Sequence, residues 1–290
     1  MADPLRRLLP QPGAFVKSCL TGLVCLILLL HAEPASAQRQ GDIVVLTGLA
    51  HIRPDESSST VRTRVRPGLA TVLTGDSFDS PGTSLSVSNS STLAMVVKLF
   101  LTDHLAVALD GGIPVKFDIS GQGMVAPPGL TGELLSVDLG DPDNNPIGEA
   151  RQWSPVFMLQ YNFGEPDATF RPYIGLGATY TFFTDVGLSD GVRSDIRDDF
   201  GTPLALAAGR PGPTSVSPEA TADFAPVYSL GGSYKLGDRW SLSMAATHLG
   251  LESDSIIRVR ADDGTELAES RSELDLGTFV FSLLVGYNFQ

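Results

Sequence analysis

The sequence predicts an all-β fold: an eight-stranded antiparallel transmembrane β-barrel with short periplasmic turns and long extracellular loops. Three observations carry that prediction. Beyond Ala37, apolar residues recur at every second place, the spacing that sends alternate side chains to opposite faces of a strand. The connections between these segments alternate short and long, the asymmetry of an outer-membrane barrel. An export signal stands first, and no later apolar window is long enough to cross a bilayer as a helix.

The signal is read from its three parts. Arg6, Arg7 and Lys17 precede an apolar run from Cys19 to Leu30, and Ala35-Ser36-Ala37 closes it with small residues at a cleavage site. Residues 1–37 are therefore expected to be removed, leaving 38–290 as one exported domain placed in the cell outer membrane. Both cysteines of the chain, Cys19 and Cys25, lie in the removed part, so no disulfide framework is expected. The whole chain has 33 acidic and 20 basic side chains. Removing Arg6, Arg7 and Lys17 with Asp3 and Glu33 leaves 31 and 17, a formal charge of −14, which repels nucleic-acid phosphates.

Eight strands follow in order. The first is Asp42 to Arg53. A pair, Thr92 to Leu101 and Leu105 to Ile119, is joined by the short Thr102-Asp103-His104. Ser154 to Phe163 and Arg171 to Phe183 are joined across Gly164 to Phe170. Phe224 to Lys235 and Trp240 to Arg260 are joined by Leu236-Gly237-Asp238-Arg239, and Glu273 to Phe289 closes the chain. The remaining connections, Pro54 to Ser91, Ser120 to Trp153, Thr184 to Asp223 and Ala261 to Ser272, are long or polar.

The faces decide between a membrane barrel and a soluble one. In the last strand Phe279, Phe281, Leu283, Val285, Tyr287 and Phe289 share one face, and Val280, Ser282, Leu284, Gly286 and Asn288 the other. A soluble barrel would bury its apolar face and carry charge outside. Here the second faces are mostly Gly, Ser, Thr and Ala, which suit the narrow lumen of eight strands, and the acidic residues gather in the long connections. Lipid offers backbone groups no hydrogen-bond partner, so such a sheet must close on itself. Trp153, Tyr161, Phe163, Tyr173, Phe182, Phe183, Tyr234, Trp240 and Tyr287 stand near strand ends as candidates for two interfacial girdles.

Little points to catalysis, metal or cofactor. After the signal only His51, His104 and His248 remain, and no Ser/His/acid set stands out. Asp138 to Asn145 offers oxygen ligands at close spacing without the residue order of a calcium loop, and reads as a polar external loop. Gly175-Leu176-Gly177 lies in a strand with no helix after it, so it is a packing device rather than a nucleotide cradle. No enzyme activity, cofactor or bound metal is expected.

Particular strings resemble a known family. NSSTLAMVVKLFLTDHLAVALDGGIP from Asn89, WSPVFMLQYNFG from Trp153, RPYIGLGATYTFF from Arg171, LGDRWSLSMAATHLGLESDS from Leu236 and the closing FVFSLLVGYNF are similar, in the same order, to the OmpW family of bacterial outer-membrane proteins. The resemblance implies an eight-stranded barrel in a Gram-negative outer membrane. It also implies a narrow channel for small hydrophobic molecules, with an apolar pocket in the upper lumen and lateral exit into the bilayer. Some members are bacteriocin or phage receptors, so the alternative is a structural or receptor barrel whose loops bind phage, bacteriocin or host surfaces. The chain departs from the family in longer loops at Pro54 to Ser91 and Thr184 to Asp223. It also carries Asp110 where members tend to be apolar, and Gln290 after the final aromatic.

With these registers, Val96, Phe100, Asp110, Val156, Met158, Thr179, Phe224 and Val227 are expected to line or cap the lumen. The expected partners are small hydrophobic solutes, outer-membrane lipid and lipopolysaccharide, and the assembly machinery during biogenesis.

Overall fold

The computed structural model describes residues 38–66 and 68–289; residues 1–37, expected to be an export signal, lie outside the described residues. Eight strands form the barrel: β1 (Ile43–Ser58), β2 (Ser90–Phe100), β3 (Leu105–Gly112), β4 (Val156–Asn162), β5 (Phe170–Leu188), β6 (Asp223–Lys235), β7 (Trp240–Arg260) and β8 (Glu266–Phe289). Each pairs antiparallel with the next. The last returns to the first along Ile43↔Phe289 to Ser58↔Leu274, so the eight strands close into a ring. No helix among the described residues is long and apolar enough to cross a membrane.

The period-two pattern sorts outside from inside. Leu283, Leu230 and Leu176 stand outward, 49%, 64% and 61% exposed. Trp240, Tyr287 and Phe289 make edge-to-face contacts at 5.0 and 4.8 Å in the periplasmic girdle. Trp153 and Phe182 stack at 6.0 Å near the opposite rim. On β6 the outward face runs from Phe224 to Tyr234. Ten steps at about 3.4 Å, tilted by about 40°, give an apolar band about 25 Å tall, the height of a membrane-barrel belt. Tyr173 is a correction to the expected girdle: with Arg171 it takes the inward parity of β5 and is 5% exposed. A Cβ at Gly231 would lie 2.6 Å from its ring, so the missing side chain there makes its room. Gly231→Leu is accordingly expected to expel Tyr173 and destabilise the barrel by about 3 kcal/mol, read as a lower urea midpoint of the heat-modifiable band in lipid vesicles.

The long connections are more structured than their composition suggested. A spanning strand needs about 9–11 residues, whereas β7 has 21 and β8 has 24. Both run on above the membrane and are joined by 261–265, so most of the expected polar stretch up to Ser272 is strand. Ser215–Ala220, Val61–Val65 and Ser77–Ser80 extend this side of the crown. Opposite it, Ser84–Val87, Val115–Gln122 and Gly148–Trp153 join upper β5. The expected third strand, Leu105 to Ile119, is therefore two strands separated at Ile113-Pro114, because proline has no N–H to continue the ladder. Exposed ion pairs such as Arg62–Asp79, at 2.7 Å, decorate the crown. The guanidinium holds the Asp79 carboxyl below its ordinary range, although pairs so exposed contribute little stability.

Candidate functional site

The lumen is built in three levels. Its floor, toward the periplasmic turns, is solid. Phe100, Met158 and Val227 are 1%, 0% and 0% exposed. Met158 packs where the glycines of β5 leave room: a Cβ at Gly175 would fall 2.3 Å from its Sδ. Lys98 holds its Nζ 4.5 Å from the centre of the Tyr173 ring. Arg171 donates to the carbonyls of Gln38 at 3.0 Å and Asp103 at 2.6 Å, tying the first described residues and a periplasmic turn to the barrel wall. Its Cζ lies 5.8 Å from the Phe100 ring centre. Cations over aromatic faces in a desolvated setting are favourable, and together these side chains close the axis.

Above the floor lies an apolar cavity lined by Ala50, Ile52, Ala94, Val96, Val156, Leu249, Val280 and Leu284, with Asp110 on its wall. The lining continues through Gly111, Gly112, Ile113, Pro114, Trp153, Ser154 and Pro155. That is the gap in the wall where the β3–β4 pairing ends at Asp110↔Val156 and the next ladder begins at Val115↔Gln152. Two prolines face this gap without N–H groups, so the sheet is least bonded where the cavity meets it. Ile113 is 60% exposed there.

A second apolar cavity lies higher, between the two sheets of the crown. Its walls include Leu85, Phe117, Ile119, Leu139, Ile147, Leu274 and Leu276. Gln152 lines both cavities and donates to Ser154 Oγ at 2.8 Å, which in turn bonds Thr181 Oγ1 at 2.8 Å. Asp190–Asp195, Ile196–Gly201 and Thr202–Ala207 form a helical lid within the expected loop Thr184 to Asp223. Val192, Ile196, Phe200 and Leu204 share its buried side at four-residue spacing. An α-helix would rotate such a stripe steadily around its axis; the wider π-type turn over Ile196–Gly201 takes more residues per turn and counters the drift. Ser189 caps the first turn, accepting from Val192 N. Asn144 Nδ2 donates to Asp195 Oδ2 at 2.7 Å and to Asp138 O at 2.9 Å. The Asp138 to Asn145 string is thus a hydrogen-bonded clasp for the lid.

The sequence-selected residues divide among these levels. Val96, Asp110, Val156 and Thr179 lie along one cross-strand row, and the first three line the lower cavity. Thr179 is 1% exposed and donates to Pro155 O at 2.9 Å, bracing the wall break. Phe100, Met158 and Val227 belong to the floor. Phe224 is a correction: it is 72% exposed on the outer surface. Ala225 and Val227 take the inward parity of β6, so their neighbour at 224 must point to lipid, where it joins the upper girdle. Sequence reasoning passes over Lys98 and Arg171 as lumen residues and assigns Tyr173 to the girdle, although period two alone places all three inward.

Comparison with known proteins agrees with this architecture. The model of the OmpW family matches residues 39–209. The chain is 28% identical over 279 residues to outer membrane protein W of Vibrio cholerae, covering 94% of this chain and 100% of that one. It is 23% identical over 211 residues to outer membrane protein AlkL of Ectopseudomonas oleovorans, covering 72% and 70%. The crystal structure of OprG from Pseudomonas aeruginosa superposes with a TM-score of 0.63 at 20% identity, over 88% of this chain and 98% of that one.

Proposed function

This chain belongs to the OmpW family, an outer-membrane β-barrel by fold and relatives, and from that premise we propose that it passively admits small hydrophobic molecules. The observation that carries the reading is the course of the apolar space. One apolar cavity lies in the crown and another at Val96 and Val156, Gln152 lines both, and the lower one meets the break in the wall at Ile113-Pro114 and Ser154-Pro155 instead of the closed floor. A solute held in such a space loses contact with water without having to cross Lys98, Arg171 and the packed aromatic floor. Its downhill exit is sideways, into the bilayer, where the sheet has fewest hydrogen bonds to break. The lid would open at its polar clasp, Asn144 to Asp195, whose exchange for water costs little compared with exposing Phe200 and Leu204.

The test is initial-rate uptake of radiolabelled octane by cells lacking the protein and by the same cells complemented at matched expression. Faster uptake in the complemented cells is expected. Equal rates would favour the rival reading, a barrel that serves only to present its extracellular surface.

A further inference from the structure

Asp110 is an anomaly in the cavity it lines. Its register partners are Val96 on β2 and Val156 on β4, both apolar. Yet its own Oδ1 is buried without a hydrogen-bond partner. A carboxylate in such surroundings is costly unless something donates to it. Lys98 is near enough to act on it electrostatically, but this ammonium is turned toward the Tyr173 ring. The charge is therefore offset while an acceptor stays vacant. The terminal torsion of aspartate is broad and nearly two-fold, so either oxygen can be presented to the cavity that the residue lines.

Resting on the transport reading above, we infer that the lower cavity selects medium-chain amphiphiles bearing a neutral hydroxyl. The hydroxyl donates to the Asp110 carboxylate, and the apolar chain lies along Val96, Val156 and the wall break. A neutral donor fits better than an ammonium. With Lys98 already supplying one positive charge, a cationic head would leave a net charge in an apolar enclosure, whereas a hydroxyl satisfies the oxygen and adds none. A hydrocarbon would leave the acceptor vacant.

Two isomers isolate the donor: 1-octanol and heptyl methyl ether have the same atoms, but only the alcohol carries an O–H. Radiolabelled forms of each are offered to cells lacking the protein, complemented with wild type, Asp110→Leu or Asp110→Asn, at matched heat-modifiable band intensity. Above the empty-vector rate, wild type is expected to favour the alcohol about tenfold. Asp110→Leu should bring the two isomers together, and Asp110→Asn, which keeps an acceptor oxygen, should retain most of the preference. Should Asp110→Leu fail to insert, the wild-type ratio and the Asn variant still decide. Equal wild-type rates for both isomers, well above background, would overturn the hydroxyl inference and leave the transport reading standing. Octylammonium entering faster than octanol would overturn the neutral-head assignment. Neither isomer exceeding background would overturn both readings.

Discussion

Replacing Ala94 with Trp is expected to cut entry of hydrophobic solutes at least tenfold while leaving the barrel folded. Ala94 points into the lower cavity and lies opposite Gly48 on β1 and Gly112 on β3. Neither neighbour has a side chain, so an indole at this position can extend into the lower cavity that Ala94 lines. The usual overpacking cost of about 1–3 kcal/mol should fall at its low end, because the cavity accepts the added volume. The measurement is octane uptake normalised to the heat-modifiable band. A variant that folds and transports at the wild-type rate would mean that solutes bypass this cavity.

The second large effect concerns insertion. Leu283 lies near the middle of the outward face of β8, between Phe281 and Val285, and is 49% exposed to lipid. Leu283→Arg is expected to destabilise the inserted barrel by about 2–4 kcal/mol, as for a cation near the bilayer midplane. Ser282→Arg, one residue away, points away from lipid into the lower cavity, where the longer side chain has room, and should be milder. Urea titrations of both variants in vesicles check the sign and size of the difference. Equal losses would contradict the assignment of faces on which every lumen residue depends.

Much of the barrel is legible because period two is enforced physically: a spanning strand with one face in lipid cannot slip by one residue without exposing its polar face. Phe279 to Phe289 and Leu93 to Leu101 carry the pattern without interruption, and the paired registers follow it. The same rule, applied strictly on β6, excludes Phe224 from the lumen, since it cannot share a face with Val227. Tyr173 was misplaced for a different reason. An aromatic near a strand end fits a girdle by type, and only the space above Gly231 explains why it turns inward. The crown was least legible. Its short strands owe their existence to pairing partners far away in sequence, such as Ala268 for Val65, and turn-rich composition conceals them. The lid gives a local sign in Val192, Ile196, Phe200 and Leu204, but its burial depends on the sheets that enclose it. Pro114 and Pro155 signal a break in the wall, while the cavity that reaches this break emerges only once the ring is closed.

The central claim is a route: solutes occupy the lower cavity and leave through the wall beside Ile113 and Pro114. A diazirine-bearing alkane, photoactivated in membranes containing the wild-type protein and mapped by mass spectrometry, tests it most directly. The account predicts labels on Val96, Val156, Ile113 and Pro114 that disappear when excess unlabelled octane competes. Labels confined to lipid-facing residues such as Leu230 and Leu283, unaffected by competitor, would contradict it.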